Sequence, residues 1–464
     1  MKARAAVILV CGLSVATARA GQDADQSATR PVSEIEALIN AGGEGATIHV
    51  PAGVYRGNLR INRPVTLLGD GQVTIDGGGN GTVVEILAGN VTFSGFTVRG
   101  SGSGVDHEPA GIRAETGPVN IENNQLEDVL YGIDLRTSSN SVVRGNVIVG
   151  MDLDPGRRGD GIRLWWSHEC VVEHNRVNRS RDMVFWYSEG LDVRGNVVSD
   201  SRYGLHFMYS HHTTLRNNHL WGNSVGVYLM YSNAITLIDN VMERNRGPSG
   251  YGIGLKECDD IEVRSNRLTA NRVGVYVDNA PLSEGAFGRV HENLIAYNEV
   301  GMLMAPSNHS QQAWNNGFIE NEQQVAGNGR GDLTANEFHV DGRGNYWSDY
   351  AGFDRAGDGV GDLAYTSQSL FEDLMSREPN LRLFMHSPAQ QAVDFTARAL
   401  PVMLPQPKFV DEHPLMTPPQ VPGADAPSGS ARRMGALCAG LLVAGALVML
   451  TGAESISRTQ GGRS

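Results

Sequence analysis

The side chains with the clearest chemical potential are methionines and histidines near the middle of the chain. Met208 and Met230 are separated by one repeat length of 22 residues, and His206 precedes Met208 by two positions. His211 and His212 follow in the same stretch. Thioether and imidazole groups form a soft ligand set that favours Cu(I), whereas carboxylates favour calcium or magnesium. The spacing therefore predicts a copper site, most simply for Cu(I), formed by these five residues.

Aromatic residues accompany the methionines and predict a docking surface. Its members are Trp165, Trp186, Tyr209, Tyr228 and Tyr231. A column of Trp166, Tyr187, Tyr209 and Tyr231 runs beside the methionine positions. A strip of large apolar side chains is costly to expose to water unless something binds it. The same surface also suits a metal-free adaptor that only docks a partner protein.

Acidic residues offer an alternative, a carbohydrate-active lyase, hydrolase or epimerase. Such enzymes need paired carboxylates or an activated base, and the candidates are Asp106, Glu108, Asp160, Asp259 and Asp260. None of them repeats beside the aromatic and methionine positions, so ordinary surface charge explains them more simply. No catalytic residue is predicted, and we expect the chain not to be an enzyme. It also lacks the Gly-x-x-x-x-Gly-Lys-Ser/Thr loop of an ATPase.

An aspartate-rich stretch is a weaker candidate for calcium. Asp354, Asp358 and Asp362 carry suitable oxygen atoms. However, Ala356 stands where an EF-hand loop has an oxygen ligand, and Tyr365 stands where it has a bidentate glutamate. A turn-rich cap is the better interpretation of this stretch.

A repeat must position all of these residues. A glycine followed by alternating apolar residues returns most often after 21 or 22 residues, with Asp182 in the glycine's place in one unit. The glycines are Gly111, Gly132, Gly161, Gly204, Gly226, Gly252, Gly274 and Gly301. An asparagine recurs in step, at Asn124, Asn146, Asn175, Asn196, Asn218, Asn240, Asn266, Asn293 and Asn316. Apolar residues two apart between polar corners predict short strands and no crossover helix.

These features predict an all-β fold, a right-handed parallel β-helix with three short strands per coil of about 22 residues. Equivalent residues of neighbouring coils then lie about 4.8 Å apart. Leu205, Phe207, Met302 and Met304 would point inward, whereas His206 and Met208 would point outward. A second polar column is expected to bond the backbone at the corners, and consists of Ser180, Ser201, Asn223, Asn245 and Asn271. Loops are expected outside the coils at Met151 to Gly159, Arg246 to Gly250 and Pro281 to Arg289.

The four cysteines do not form a disulfide framework. Cys11 lies in the N-terminal apolar run and Cys438 in a C-terminal one. Cys170 and Cys258 lie four coils apart, which is beyond disulfide reach. Both are therefore predicted to be buried structural residues.

The segments outside the repeats differ in composition. Residues 1–20 combine basic residues, a short apolar run and a small-residue cleavage pattern, which predicts a signal peptide and export. Met434 to Gly452 carries no charge and is long enough to cross a bilayer, although a partner-docking helix is the alternative. The predicted organisation is a signal peptide (1–20), an N-terminal segment with a capping helix opened by a Ser33/Glu36 capping box (21–45), the β-helix (46–340), a turn-rich C-terminal cap (341–385), a Pro-rich linker (386–431), a possible transmembrane or docking helix (432–453) and a tail (454–464).

Composition excludes two classes of protein. The 38 Lys and Arg residues against 51 Asp and Glu give a net charge of −13, which argues against nucleic-acid binding. The 57 glycines follow no Gly-X-Y period, which excludes collagen.

One motif beyond the repeats is more specific than the coils. Gly344-Asn345-Tyr346-Trp347-Ser348-Asp349-Tyr350 is followed by Gly357-Asp358-Gly359-Val360-Gly361-Asp362. With the coils and the export signal, residues 30–385 resemble the NosD family of periplasmic accessory proteins for nitrous oxide reductase maturation in denitrification. The resemblance implies a β-helix that delivers copper to apo nitrous oxide reductase. It also implies partners: an ABC transporter made of the membrane subunit NosY and the ATPase NosF, and the copper chaperone NosL. No fixed ligand motif comes with the resemblance.

Overall fold

The chain winds into a parallel β-helix. The computed structural model describes residues 29–421 except residues 330, 386, 401 and 403. Coils of the repeat region contribute three short strands each, as the sequence predicts. One strand of each coil joins a 12-stranded parallel sheet, which we call the front sheet, and the other two join a 24-stranded sheet.

The strands of the two sheets follow the order of the coils. The front sheet contains Leu59–Ile61, Val84–Ile86, Ala110–Ala114, Tyr131–Arg136, Ile162–Trp165, Asp182–Trp186, Tyr203–Met208, Val225–Met230, Tyr251–Lys256, Val273–Asp278, Val300–Met304 and Gln323–Gly327. The 24-stranded sheet contains Thr29–Pro31, Thr47–His49, Gly53–Arg56, Thr66–Asp76, Val91–Arg99, Val119–Glu122, Gln125–Val129, Val142–Arg144, Val147–Gly150, Val171–Glu173, Arg176–Asn178, Asp192–Arg194, Val197–Ser199, Thr213–Arg216, His219–Trp221, Asn233–Ile238, Val241–Glu243, Asp259–Arg264, Arg267–Thr269, Gly288–His291, Leu294–Ala296, Gln311–Trp314, Gly317–Ile319 and Tyr346–Trp347.

The core is one continuous apolar ladder inside the coils. Leu205 and Phe207 are fully buried, and Phe207 stacks on Phe185 of the preceding coil at 4.5 Å. Met302 and Met304 are also fully buried, so the predicted inward phase is confirmed. Cys170 and Cys258 are buried free thiols.

The repeat glycine is required by the closeness of neighbouring coils. A Cβ atom at Gly204 would lie 2.5 Å from the carbonyl oxygen of Gly226. The coil that begins at Asp182 lacks this glycine. Its front-sheet strand has one residue fewer at this point than the strand of the next coil. Asp182 pairs with Tyr203, whereas Val184 pairs with His206, so the register shifts between them. A β-bulge of this kind redirects side chains locally.

Buried asparagines form a continuous hydrogen-bonded ladder at one corner. Asn218 Nδ2 donates to the oxygen of Val193 and to Oδ1 of Asn240, both at 2.9 Å. Asn218 Oδ1 accepts from the backbone N and Nδ2 of Asn196, both at 3.0 Å. The ladder ends at Asn345, which accepts from Asn316. The second predicted column behaves similarly: Asn223 N donates to Asn245 Oδ1 at 3.0 Å.

A short helix, α1 (Ser33–Ala41), precedes the first coils, and its Ile35 and Ile39 are buried in the core. The predicted Ser33/Glu36 capping box is wrong. Val32 occupies the N-cap position, and no side-chain cap hydrogen bond forms. The Glu36 carboxylate instead accepts from the backbone N–H of Arg60, which ties the helix to the neighbouring coil.

The aromatic motif closes the last coils. Trp347 is buried, stacks on Phe318 at 4.5 Å, and donates from Nε1 to Asp411 Oδ2 at 2.8 Å. Asp354 accepts the backbone N–H groups of Gly357 and Gly359 at 2.6 and 2.8 Å. The Asp354 carboxylate therefore stabilises the turn that follows it, as the cap interpretation expects.

The prolines of the predicted linker indicate an extended segment. Its described part instead contains regular secondary structure. It contains the helix α3 (Pro388–Ala399), after α2 (Leu370–Arg377), and the strand Val410–Asp411, which pairs antiparallel with Tyr365–Thr366. Pro388 suits the first turn of a helix. Three-residue and longer 3-10 helices lie at Val105–His107, Pro155–Arg157 and Pro379–Phe384.

The predicted signal peptide and the apolar segment Met434 to Gly452 lie outside the described residues. Between residues 29 and 421, none of the described helices has both the length and the apolar character needed to span a bilayer.

Candidate metal centre and docking surface

The outer face of the front sheet brings the predicted residues into register. Trp186, Met208 and Met230 occupy equivalent positions in three successive coils. Met208 pairs with Trp186 of the coil before it and with Met230 of the coil after it. His206 lies two residues before Met208 on the same outer face and pairs with Tyr228. Because adjacent strands lie about 4.8 Å apart, the backbone positions of His206, Met208 and Met230 are neighbours on the outer face of two successive coils.

His206 is buried on this outer face, with only 6% of its surface exposed. Its Nδ1 lies 3.1 Å from Oδ2 of Asp182. Arg202 donates to both oxygens of the same carboxylate, with Nε to Oδ1 at 2.9 Å. Burial alone would raise the pKa of Asp182, but hydrogen bonds from His206 and Arg202 lower it below its usual value. Asp182 is therefore ionised and accepts the Nδ1–H of His206.

The second ring nitrogen of His206 has no such partner. Its Nε2 is buried and makes no hydrogen bond within the described residues. With the proton of the neutral ring on Nδ1, this atom carries an unused lone pair. A carboxylate on one ring nitrogen and a free lone pair on the other is the usual arrangement of a metal-binding histidine. The structure thus leaves Nε2 as the ring nitrogen of His206 without a hydrogen-bond partner among the described residues.

His211 and His212 are arranged differently. The backbone N–H of Asn233 donates to Nδ1 of His211 at 3.1 Å, so the proton of the neutral ring must lie on Nε2. His211 therefore presents no free lone pair while this bond persists. His212 is exposed, and its ring centre lies 6.5 Å from that of His211.

Met208 and Met230 are the sulfur-bearing side chains beside His206 on this face. Within the described residues, no group of three or more His, Cys, Asp or Glu side chains is placed to hold a metal ion. Met208 and Met230 are both partly exposed. A metal bound here would rely on thioethers together with the His206 imidazole, a donor set that suits Cu(I).

Beside the methionines, four aromatic rings stack in successive coils, and we call them the aromatic ladder: Trp166, Tyr187, Tyr209 and Tyr231. Their ring centres are 4.9, 5.2 and 4.9 Å apart, and neighbouring planes differ by 14° or less. Trp166 is 50% exposed and Tyr209 is 39% exposed. Because the faces cover one another, the rings present mainly their edges to the solvent.

A buried serine follows each ladder residue and holds the corner. Ser210 Oγ donates to the oxygen of Met208 at 3.2 Å and accepts the backbone N–H of Ser188 at 3.2 Å. The equivalent serines are Ser167, Ser188, Ser210 and Ser232. The ladder residues between strand and serine adopt left-handed backbone conformations, with φ of 50° to 54°. This conformation is costly for large side chains, so the corner network must maintain it.

The predicted docking residues divide between two places. Tyr209 and Tyr231 belong to the aromatic ladder, and Trp165 and Trp186 lie beside it with ring centres 6.4 Å apart. Tyr228 lies apart from them, beside His206, where it packs edge-on against Tyr203. Burial raises the pKa of the Tyr228 phenol.

The candidate catalytic carboxylates are mostly engaged in structural contacts. Glu108 binds Arg163 Nη1 and Nη2 at 2.9 Å each. Asp259 accepts the backbone N–H groups of Leu282 and Ser283. Asp160 differs, because its Oδ1 is buried without a hydrogen bond among the described residues. Burial, together with the nearby charge of Asp182, raises the pKa of Asp160 to about 7.

Sequence reasoning missed the residues that orient His206. Asp182 and Arg202 are essential to its geometry, and Tyr203 packs on its ring with centres 4.9 Å apart. The available signal was Asp182 itself, since it interrupts the glycine column in the coil before His206.

Comparisons with known proteins place this geometry in a family. A family model described as "Periplasmic copper-binding protein (NosD)" matches residues 149–352, which include the whole methionine and aromatic surface. A protein of Pseudomonas aeruginosa named "Probable ABC transporter binding protein NosD" is 33% identical over 88% of this chain and 94% of its own length. The chain belongs to the NosD family. A second NosD, from Stutzerimonas stutzeri and named in the same words, is 30% identical over 80% of this chain and 86% of its own. The predicted resemblance is confirmed, and the family is periplasmic.

Solved structures share the β-helix architecture with this NosD-family chain. The A-module of the mannuronan C-5 epimerase AlgE4 from Azotobacter vinelandii is 20% identical, with a TM-score of 0.43 over 64% of this chain and 90% of its own. A DFA-IIIase from Arthrobacter chlorophenolicus A6 is 14% identical, with a TM-score of 0.47 over 69% and 97%. These likenesses concern the fold alone.

Proposed function

We propose that this NosD-family chain is an exported, non-enzymatic scaffold that handles copper during assembly of the copper sites of nitrous oxide reductase. The observation that carries the proposal is His206, whose Nε2 lone pair is free and whose Nδ1 is held by Asp182. Met208 and Met230 supply adjacent thioethers. The family's description as copper-binding supports the same choice of metal.

Copper is the cargo of this site. Cu(I) would be held by Nε2 of His206 and the sulfurs of Met208 and Met230. Thioethers are neutral, flexible ligands. They can leave one at a time while a ligand of the acceptor protein takes the vacated position, so the ion passes across without being released to solvent. No electron transfer is required, because the ion remains Cu(I) throughout the exchange.

His211 and His212 are proposed as secondary positions. The hydrogen bond from Asn233 to His211 must break, or the ring must turn over, before His211 can bind copper. This adds a conformational step that His206 does not need. The two histidines are therefore better suited to copper in transit than to its resting position.

The aromatic ladder, with Trp165 and Trp186, is proposed as the docking surface for copper-exchange partners. Exposed aromatic and methionine side chains are enriched at the centres of protein interfaces. The surface lies directly beside Met208 and Met230, so a docked partner would face the copper. The copper chaperone NosL and apo nitrous oxide reductase are the proposed exchange partners. The relatives' names support association with an ABC transporter, and we propose its NosY and NosF subunits.

A carbohydrate-active enzyme is less well supported. Sugars stack on exposed ring faces, whereas the rings of the aromatic ladder cover each other's faces at about 5 Å separation. The relatives are also named as binding proteins. The metal-free adaptor is the alternative that the experiment must separate.

The experiment is Cu(I) chelator competition on the anaerobically purified full chain. We expect Met208→Leu with Met230→Leu to weaken binding at least tenfold, and His206→Ala to weaken it similarly, because each removes a ligand. Met302→Leu is the matched control, since Met302 is buried in the core and points away from the site. Equal Cu(I) affinity in all variants would remove these residues from the site, and an absence of stoichiometric copper binding would favour the adaptor.

A further inference from the structure

A cleft of about 540 Å³ opens on a different flank from the aromatic ladder. Two of the predicted outer loops form its walls: the loop that contains the 3-10 helix Pro155–Arg157, and the loop at residues 246–250. The corner residues 200–203 and 222–224 form its floor. This volume lies within the range of small-molecule sites.

The cleft is strongly enriched in arginine. Its lining includes Arg158, Arg202, Arg244 and Arg246, and the one carboxylate among the described lining residues is Asp200. The chain as a whole carries a net charge of −13. The cleft is therefore locally positive, whereas the chain as a whole is negatively charged.

Two of these arginines are neutralised by other carboxylates. Arg202 binds both oxygens of Asp182. Arg246 binds Oε1 of Glu299 at 2.6 Å. They line the cleft, but their guanidinium groups are already paired with carboxylates and are less available to a ligand.

The other two arginines have weaker carboxylate contacts or none among the described residues. The Arg158 side chain is only 11% exposed and donates mainly to carbonyl oxygens, those of Leu153 at 3.0 Å and Asp200 at 2.7 Å. Its distance to the Asp200 carboxylate is 3.5 Å. Arg244 is exposed, and its guanidinium has no hydrogen bond or ion pair within the described residues. Among the described residues, the exposed Asp200 carboxylate is thus the one counter-charge of Arg158 and Arg244 has none, so a bound anion would add a counter-charge at both positions.

We propose that this cleft binds a small multivalent anion through carboxylate or phosphate groups, held by Arg158 and Arg244. The planar guanidinium fork suits both groups, because it donates two parallel hydrogen bonds to neighbouring oxygens. Tyr203, Pro155 and Pro248 provide apolar walls that accommodate the carbon skeleton of an organic anion. This inference does not rest on the proposed copper function, although Arg202 and Tyr203 of the cleft also contact Asp182 and His206.

The test is isothermal titration calorimetry of the full, copper-free chain with citrate and, separately, with pyrophosphate. We expect saturable one-site binding of at least one anion, which identifies the preferred group. Arg244→Gln should weaken that binding roughly tenfold, the loss expected for one charge-assisted hydrogen bond. Arg158→Gln should weaken it at least as much. Because Arg244 is exposed, its variant should keep the wild-type melting temperature.

Arg216→Gln is the matched control, since Arg216 is an exposed arginine on the 24-stranded sheet. It should leave the affinity unchanged. Three results would overturn the proposal: no saturable binding of either anion, unchanged affinity in Arg244→Gln, or an equal loss in Arg216→Gln, which would show diffuse charge attraction.

Discussion

His206 Nδ1 donates a hydrogen bond of 3.1 Å to Asp182 Oδ2, a carboxylate in the preceding coil. This bond selects the ring tautomer that leaves Nε2 with a free lone pair. The bond depends on the register shift between Asp182 and Val184, where the repeat glycine is missing. A local irregularity in the repeat therefore accompanies the contact between His206 and Asp182.

Asp182→Asn tests that preparation. An asparagine can still face His206, but it no longer favours the Nδ1–H tautomer through a negative charge. We expect Cu(I) affinity to fall about 10- to 100-fold, the usual effect of losing a carboxylate that orients a metal-binding histidine. Chelator competition measures this, and circular dichroism checks the fold. Asp192→Asn, on the 24-stranded sheet, should keep the wild-type affinity; equal affinity in both variants would contradict the role given to Asp182.

Left-handed backbone at the aromatic ladder has a measurable cost. Tyr209→Ala removes two stacking contacts, each worth about 1 kcal/mol, but keeps the strained φ of 51°. Tyr209→Gly removes the same contacts and relieves the strain. We expect the glycine variant to exceed the alanine variant in unfolding free energy by about 1 kcal/mol. Urea denaturation compares the two, and a more stable alanine variant would argue against this account of the corner.

The asparagine ladder should tolerate substitution poorly at its centre. The side chain of Asn218 takes part in four buried hydrogen bonds. Asn218→Ala leaves buried partners unsatisfied, and we expect a loss of at least about 3 kcal/mol in unfolding free energy. Asn233→Ala is the matched surface change, because the Asn233 side chain is exposed, and it should cost less than about 0.5 kcal/mol. Similar losses in both variants would show that the ladder adds no particular stability.

Asp160 should make stability depend on pH near neutrality. Its pKa of about 7 in the folded state exceeds its ordinary value of 3.8. Between these values the folded chain binds more protons than the unfolded chain, so its unfolding free energy falls as pH rises from about 4 to 7. We expect a lower urea midpoint at pH 8 than at pH 5.

Asp160→Asn provides the control for this pH effect, since it removes the titrating group. The difference between the two midpoints should shrink in that variant. A difference of the same size in the variant and the wild type would assign the pH dependence to other groups.

Periodicity was sufficient to predict the coil, the inward ladder that contains Leu205 and the corner column that contains Asn218, because each repeats at one spacing. The contact between His206 and Asp182 was not predictable, since it depends on a departure from that spacing. The state of His211 depends on a backbone N–H at Asn233, which side-chain patterns do not report.

The part that residues after 400 play in closing the C-terminal end was beyond sequence reasoning, although the cap at 341–385 was predicted. The prolines after residue 400 indicate an extended linker. Asp411 nevertheless accepts a hydrogen bond from Trp347, which lies 64 residues earlier in the sequence. Long-range contacts that occur once leave no periodic signal. Local composition therefore described this segment poorly.

The most direct test of the copper site is X-ray absorption spectroscopy at the copper edge on the anaerobic Cu(I)-loaded chain. The account predicts sulfur and imidazole nitrogen in the first coordination shell, with the sulfur contribution lost in the double variant Met208→Leu, Met230→Leu and kept in Met302→Leu. A shell of nitrogen and oxygen alone, or a sulfur contribution unchanged in the double variant, would contradict it.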